Sequence, residues 1–184
     1  MAIRKILTEP NKILREKSLR VENVDKDIQL LMDDMLETLY AAPGIGLAAI
    51  QVGVAKRVIV MDVSRDRDRD RDRDKESKRN PMYFVNPEII WKSEEKFTYE
   101  EGCLSVPNQF AEIDRPQQCH ITHLDYNGHS QELKADGLLA TCIQHEIDHL
   151  EGILFIDYLS KLKKEMIIKK LSKQTKESVE RIVV

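Results

Sequence analysis

Near its C-terminal end the chain reads His145-Glu146-Ile147-Asp148-His149. On a helix, residues four apart lie about 40° apart, one turn up the same face. Two imidazoles so placed can hold one metal ion between them. Glu146, next to the first histidine, then reaches a water in the site rather than the ion, which is the position of a proton-transfer group.

Two histidines leave a catalytic ion one protein ligand short. Zinc proteases with this helix usually take the third from downstream. Gly152 continues that pattern, but the next ligand position falls at Phe155, and no histidine follows His149. Asp157 and Glu165 are the downstream carboxylate alternatives. Upstream, Glu101-Gly102-Cys103-Leu104-Ser105 offers a thiolate at the end of a strand-like run. Cys103 alone reads as a small buried residue; beside an incomplete two-histidine site it becomes the preferred third ligand, with Gly102 letting the chain approach closely.

The elements that must carry these groups follow from periodicity. Ile28, Leu31, Met32, Met35, Leu36, Leu39 and Tyr40 recur at helical spacing, and Pro43-Gly44 ends that helix, predicted over 25–42. Arg57–Asp62 has the β-branched density of a buried strand. Short strands are expected at Met82–Asn86, Glu88–Trp91 and Lys96–Glu100. Cys119–Tyr126 alternates, and Asn127-Gly128 followed by His129–Lys134 predicts a hairpin. A second helix starts at Asp136 as cap and ends near Gly152, carrying both histidines. A third, Lys-rich helix is predicted over 159–174. The sum is an α+β fold: mainly antiparallel strands around a central metal-binding helix, with an N-terminal and a C-terminal helix.

The chain has 184 residues, which suits one domain, 1–184, able to bury a core without disulfides. Lys+Arg 29 against Asp+Glu 32 gives a net charge of -3, so no global basic field marks a sequence-specific nucleic-acid binder. No stretch has the length of a membrane span, and the opening residues are too polar for a secretory signal. A cytoplasmic protein is expected. The three cysteines, 103, 119 and 142, argue against a disulfide framework. Arg65 to Asp74 is five Arg-Asp pairs without an apolar residue, so 65–79 reads as a charged, flexible loop insertion. His120 and His123 point to opposite faces of a strand, so with His129 they read as packing or surface groups, and Cys119 as a filler.

Three segments taken together, Gly44-Ile45-Gly46-Leu47-Ala48-Ala49-Ile50-Gln51, Glu101-Gly102-Cys103-Leu104-Ser105 and Gln144-His145-Glu146-Ile147-Asp148-His149, resemble the signature motifs of the peptide deformylase family. The resemblance runs from Ile6-Leu7-Thr8-Glu9-Pro10 to the Lys-rich helix, with the Arg-Asp run as an insertion. It implies removal of the formyl group from the N-terminal formylmethionine of nascent polypeptides, releasing formate. It further implies Cys103, His145 and His149 as ligands of one divalent ion, Fe²⁺ first, with Zn²⁺, Ni²⁺ or Co²⁺ as substitutes. Glu146 would be general base and then acid, and Gln51 with the Leu104 N–H would form the oxyanion hole. Gly44 and Gly46 would line the strand edge along which the peptide lies, and the Lys-rich helix would meet the ribosome.

The chemistry of the residues agrees with that implication. A tetrahedral oxyanion needs preorganised donors, and losing one costs ~3–4 kcal/mol of barrier. Leu138 and Cys142 fall within about 60° of His145 on the helix, so with Ile45 they are expected to line a pocket for the methionine side chain. Pro43 and Phe110 depart from the family pattern, in which an acidic and a basic residue stand near those places. Two other readings compete: a metalloprotease of the same helix type, and a metal-binding module without catalysis.

Overall fold

Among the described residues, every strand is antiparallel to its neighbours within two sheets, and the helix bearing the two histidines packs on one face of the larger sheet. The computed structural model describes residues 2–65 and 79–180. The elements are α1 (Lys26–Ala41), β1 (Gly46–Ala48), β2 (Val58–Met61), β3 (Met82–Lys92), β4 (Lys96–Cys103), β5 (Val106–Pro116), β6 (Gln118–Leu124), β7 (Ser130–Asp136), α2 (Gly137–Leu150) and α3 (Lys161–Glu180). The larger sheet runs β1-β2-β3-β6-β7, and β4 pairs with β5 in a separate two-stranded sheet. Among the described residues, no helix is long and apolar enough to cross a membrane.

Strand β2 shows why its residues are apolar throughout rather than alternating. Ile59 and Met61 face a core shared with α2 (Ala140, Cys142, Ile143, Leu150). Val58 and Val60 face the opposite side, against Ile28, Leu31, Met32, Met35 and Leu39 of α1. A strand covered on both faces has no polar side. Asp25 begins α1 by accepting the Ile28 N–H at 3.0 Å, as expected of a cap.

Four expectations change in detail. Met82–Asn86 and Glu88–Trp91 are one strand, interrupted by a register shift between Val85 and Glu88. Asn86, at φ 51, turns its amide out of the ladder to exchange two hydrogen bonds with the Val21 backbone, and Pro87 sits in the bulge, where its missing N–H is tolerated. The hairpin after β6 closes through Asp125, whose carboxylate accepts the Asn127 and His129 N–H groups. Strand β6 therefore stops at Leu124, and Tyr126 packs edge-on against Tyr83 instead. Asp136 stands at the head of α2 but makes no side-chain cap; the corner is turned by Gly137 at φ 51. Helix α3 runs on to Glu180.

The chain turns away from α2 at Gly152, just past the helix end at Leu150, with a φ of 74 that only glycine adopts cheaply. A Cβ there would lie 2.4 Å from the Arg15 carbonyl oxygen. The chain thus leaves the helix pressed against the N-terminal segment. The Arg-Asp run falls outside the described residues, save its first residue, Arg65.

Candidate metal centre

His145 and His149 lie one turn apart on α2 with their rings edge-to-face, centroids 5.1 Å apart. Cys103, the last residue of β4, brings its Sγ to 3.2 Å from His149 Nε2. Donor atoms of Cys103, His145 and His149 all fall within 4.8 Å of one another, the one such His/Cys/Asp/Glu group among the described residues. A soft sulfur and two imidazole nitrogens converging on one point suit a divalent transition-metal ion. His149 is wholly buried, and burial with the neighbouring His145 pushes its pKa well below the usual value, which favours the neutral, ligating form. Burial also opposes a charge on His145, but Cys103 and Glu101 beside it hold its pKa well above the usual value.

The downstream carboxylates do not join this group. Asp157 is held by Arg15 and Lys164, and Glu165 lies on the exposed face of α3 near Lys161. Phe155 stacks on His145 at 6.3 Å between centroids, a wall rather than a ligand.

Behind His145 stands a network that the motif residues alone did not reveal. Nδ1 of His145 meets Glu101 Oε2 at 2.8 Å. Arg115 donates to both Glu101 oxygens through Nε and Nη2, and Nη1 reaches Asp148 at 2.7 Å. Tyr158 donates its hydroxyl to the same Asp148 oxygen, with its ring under the guanidinium. Burial would raise the Glu101 pKa, but His145 and Arg115 outweigh it and hold the carboxylate ionised. A carboxylate on Nδ1 fixes ring orientation and leaves Nε2 to the metal side. A second tie joins the N-terminal segment to both walls: Leu7 N–H donates to the Gln51 carbonyl and Glu9 N–H to the Ser105 carbonyl.

Glu146 is buried, and burial pushes its carboxyl up to about 7. Its Oε2 has no hydrogen-bond partner among the described residues. Gly46 explains how it fits, since a Cβ at 46 would lie 2.5 Å from Glu146 Oε1 and 2.9 Å from Cys142 Sγ. Gln51 follows β1 in a 3-10 turn; its Oε1 accepts the Ala48 N–H at 2.8 Å, which aims Nε2 at Ser105 Oγ (3.1 Å) and Cys103 Sγ (3.6 Å). The amide is therefore held with its donor side toward the cysteine.

These groups open on a cleft of about 370 Å³. Gly44, Ile45, Gly46, Gln51, Gly102, Cys103, Leu104, Leu138, Cys142, His145 and Glu146 all line it, and His149 lies behind them. Strand β1, at the sheet edge, forms one lip. His120 stacks on Trp91 and His123 lies against Phe84, so both are cross-strand packing groups. Cys119 is fully buried, with its thiol pushed up to about 11 by burial.

A family model described as polypeptide deformylase matches residues 3–165. The chain belongs to the polypeptide deformylase family. A peptide deformylase of Pelagibacter ubique is 67% identical over 173 residues, covering 94% of this chain and 95% of its own length. One from Phenylobacterium zucineum is 55% identical, covering 96% and 99%. The crystal structure of the Ehrlichia chaffeensis peptide deformylase superposes with a TM-score of 0.87 at 46% identity, covering 97% of this chain and 99% of that one. A second structure of the Ehrlichia deformylase, in complex with actinonin, gives 0.86 at 46% identity, with 95% and 98% covered. The α+β architecture is thus that of solved deformylases, and the chain is a hydrolase of this family.

Proposed function

We propose that the chain is a metal-dependent amidase, one catalytic domain over its length, that removes the formyl group from N-terminal formylmethionine of nascent polypeptides and releases formate. The observation that carries this reading is the Glu146 oxygen, without a partner among the described residues, beside the Cys103, His145 and His149 donors in one cleft. Cys103, His145 and His149 would hold the ion, Fe²⁺ being the proposed occupant in a cytoplasmic setting. A divalent ion there supplies Lewis acidity and brings the pKa of water toward about 7.

The side chains account for the remaining steps. Glu146, with a carboxyl poised at about 7, takes the proton of the attacking water and later delivers it to the departing amine. Water oxygen bonds to the formyl carbon, the C–N bond breaks, and formate and a free α-amine leave. The Gln51 amide and the Leu104 N–H are the proposed donors to the oxyanion. Ile45, Leu138 and Cys142 supply the apolar lining for the methionine side chain, and Gly44 and Gly46 leave room for substrate backbone along β1. Lys169, Lys170 and Lys173 on α3 are proposed to contact ribosomal RNA.

The deciding test is formate release from formyl-Met-Ala-Ser by anaerobically prepared protein. Turnover of the formylated peptide alone is expected. Cleavage of internal bonds in unformylated peptides, without formate, would overturn the reading in favour of a protease.

A further inference from the structure

Strand β5 turns Asn108, Phe110, Glu112 and Asp114 outward, and Phe110 is the apolar exception, 65% exposed. A single exposed apolar residue is ordinary on a protein surface; its position makes this one informative. Phe110 pairs with Gly102 across the β4–β5 ladder, and its ring fills the space a Gly102 side chain would occupy, 2.6 Å from the built Cβ position. Gly102 directly precedes Cys103, so the ring stands at the mouth of the cleft, one residue from the candidate metal centre. Pro43, Leu104 and Pro107 continue the apolar lining there.

Charge at the mouth is one-sided. Among the described residues lining the cleft there is no lysine or arginine, whereas Glu100 contributes an exposed carboxylate and Glu101 is buried and paired. Arg115 is buried behind the site and committed to Glu101 and Asp148. An extended peptide whose first residue is anchored by its formyl group and methionine side chain must pass this mouth with the residues that follow. Each advances the backbone by about 3.3 Å, so the second and third lie within side-chain reach of the rim.

We propose that Phe110, with Pro43 and Pro107, is a specificity-determining wall for the residues immediately after formylmethionine, favouring apolar and aromatic side chains there and disfavouring acidic ones. This rests on the deformylase reading above. An aromatic face removes apolar substrate surface from water, while an acidic side chain would meet Glu100, with no lysine or arginine among the described residues lining the cleft to balance it.

The test is kcat/KM for formate release from two peptide series, formyl-Met-X-Ala and formyl-Met-Ala-X, with X as Phe, Leu, Ala, Lys or Asp. The wild-type chain should prefer Phe over Asp by about five- to tenfold or more in at least one series, the range of a partly desolvated contact. Phe110→Arg should collapse or reverse that Phe/Asp ratio, whereas Phe110→Tyr should keep it. Because ratios within one variant are compared, a general loss of activity or stability does not move the readout. A flat wild-type profile, or a Phe/Asp ratio unchanged in Phe110→Arg, would overturn the wall while leaving deformylation standing. Absence of formate from every formylated peptide would overturn the deformylase reading and the wall with it.

Discussion

At the residue scale, Glu146 touches no other hydrogen-bonding group through Oε2 among the described residues, so its removal takes away proton transfer without disturbing the donors. Glu146→Ala should keep one metal per chain and lower formate release by roughly 10²- to 10⁴-fold; metal analysis and turnover on the same sample check it. Glu101→Gln should act differently. It keeps an oxygen for His145 Nδ1 but loses the charge facing Arg115, so ring orientation loosens. Metal affinity should fall roughly 10- to 100-fold by chelator competition, and unchanged affinity would remove Glu101 from any orienting role. The meeting of Cys103, His145 and His149 was readable from sequence because two histidines at helical spacing and a Gly-Cys pair are local patterns. Glu101's partner Arg115 was not, because fourteen residues separate them and strand β5, which joins them, went unrecognised. Its outward residues are mostly polar, and Pro107 and Pro116 near its ends look like breakers.

At the element scale, the described residues on the two sides of the charged run, Ser64 and Asn80, meet at one carboxylate. Asp62 is fully buried and accepts from Ser64 N–H, Ser64 Oγ, Asn80 N–H and the Tyr40 hydroxyl. The chain on either side of the run is therefore held by one carboxylate. Replacing residues 66–78 by a short Gly/Ser link should leave the melting temperature and tripeptide turnover within about twofold and a few degrees, because loop length costs little once the ends are fixed. Burial raises the Asp62 pKa, but its hydrogen bonds outweigh that and hold it below the usual value. A depressed folded-state pKa stabilises above the unfolded value of about 4 and is lost as pH falls through the lower folded value. Asp62→Asn should thus be less stable than wild type at neutral pH, with the gap narrowing in acid. A gap independent of pH between about 6 and 2, measured by thermal unfolding, would show that Asp62 does not contribute as an anion. Periodicity found α1, β2 and α2 because each buries a defined face; the asparagine bulge in β3 was invisible to it, since that bend exists to serve Val21, sixty-five residues earlier in the chain.

At the scale of the whole molecule, α3 has two faces with different duties. Leu171 is buried at 3% in a cluster with Val106, Ile113, Leu154, Phe155 and Ile156, and Lys164 is bound to Asp157, which also holds Arg15. Deleting the helix would open that cluster just behind Cys103 and His145, so a truncation cannot isolate a docking role. Charge reversal can. Lys169 and Lys170 are exposed and Lys173 lies one turn on, a basic group that does not overlap the Asp157 contact. If this face meets ribosomal RNA, binding must release counterions, and each phosphate contact contributes roughly one unit to the slope of log affinity against log salt. The Lys169→Glu, Lys170→Glu, Lys173→Glu variant should therefore bind ribosomes more weakly with a slope shallower by about two to three, while releasing formate from formyl-Met-Ala-Ser at the wild-type rate. The two readouts separate docking from catalysis because none of the three lysines lines the cleft. Ribosome affinity and salt slope equal to wild type would show that the basic face of α3 is only solvated, and that nascent chains reach the cleft by diffusion.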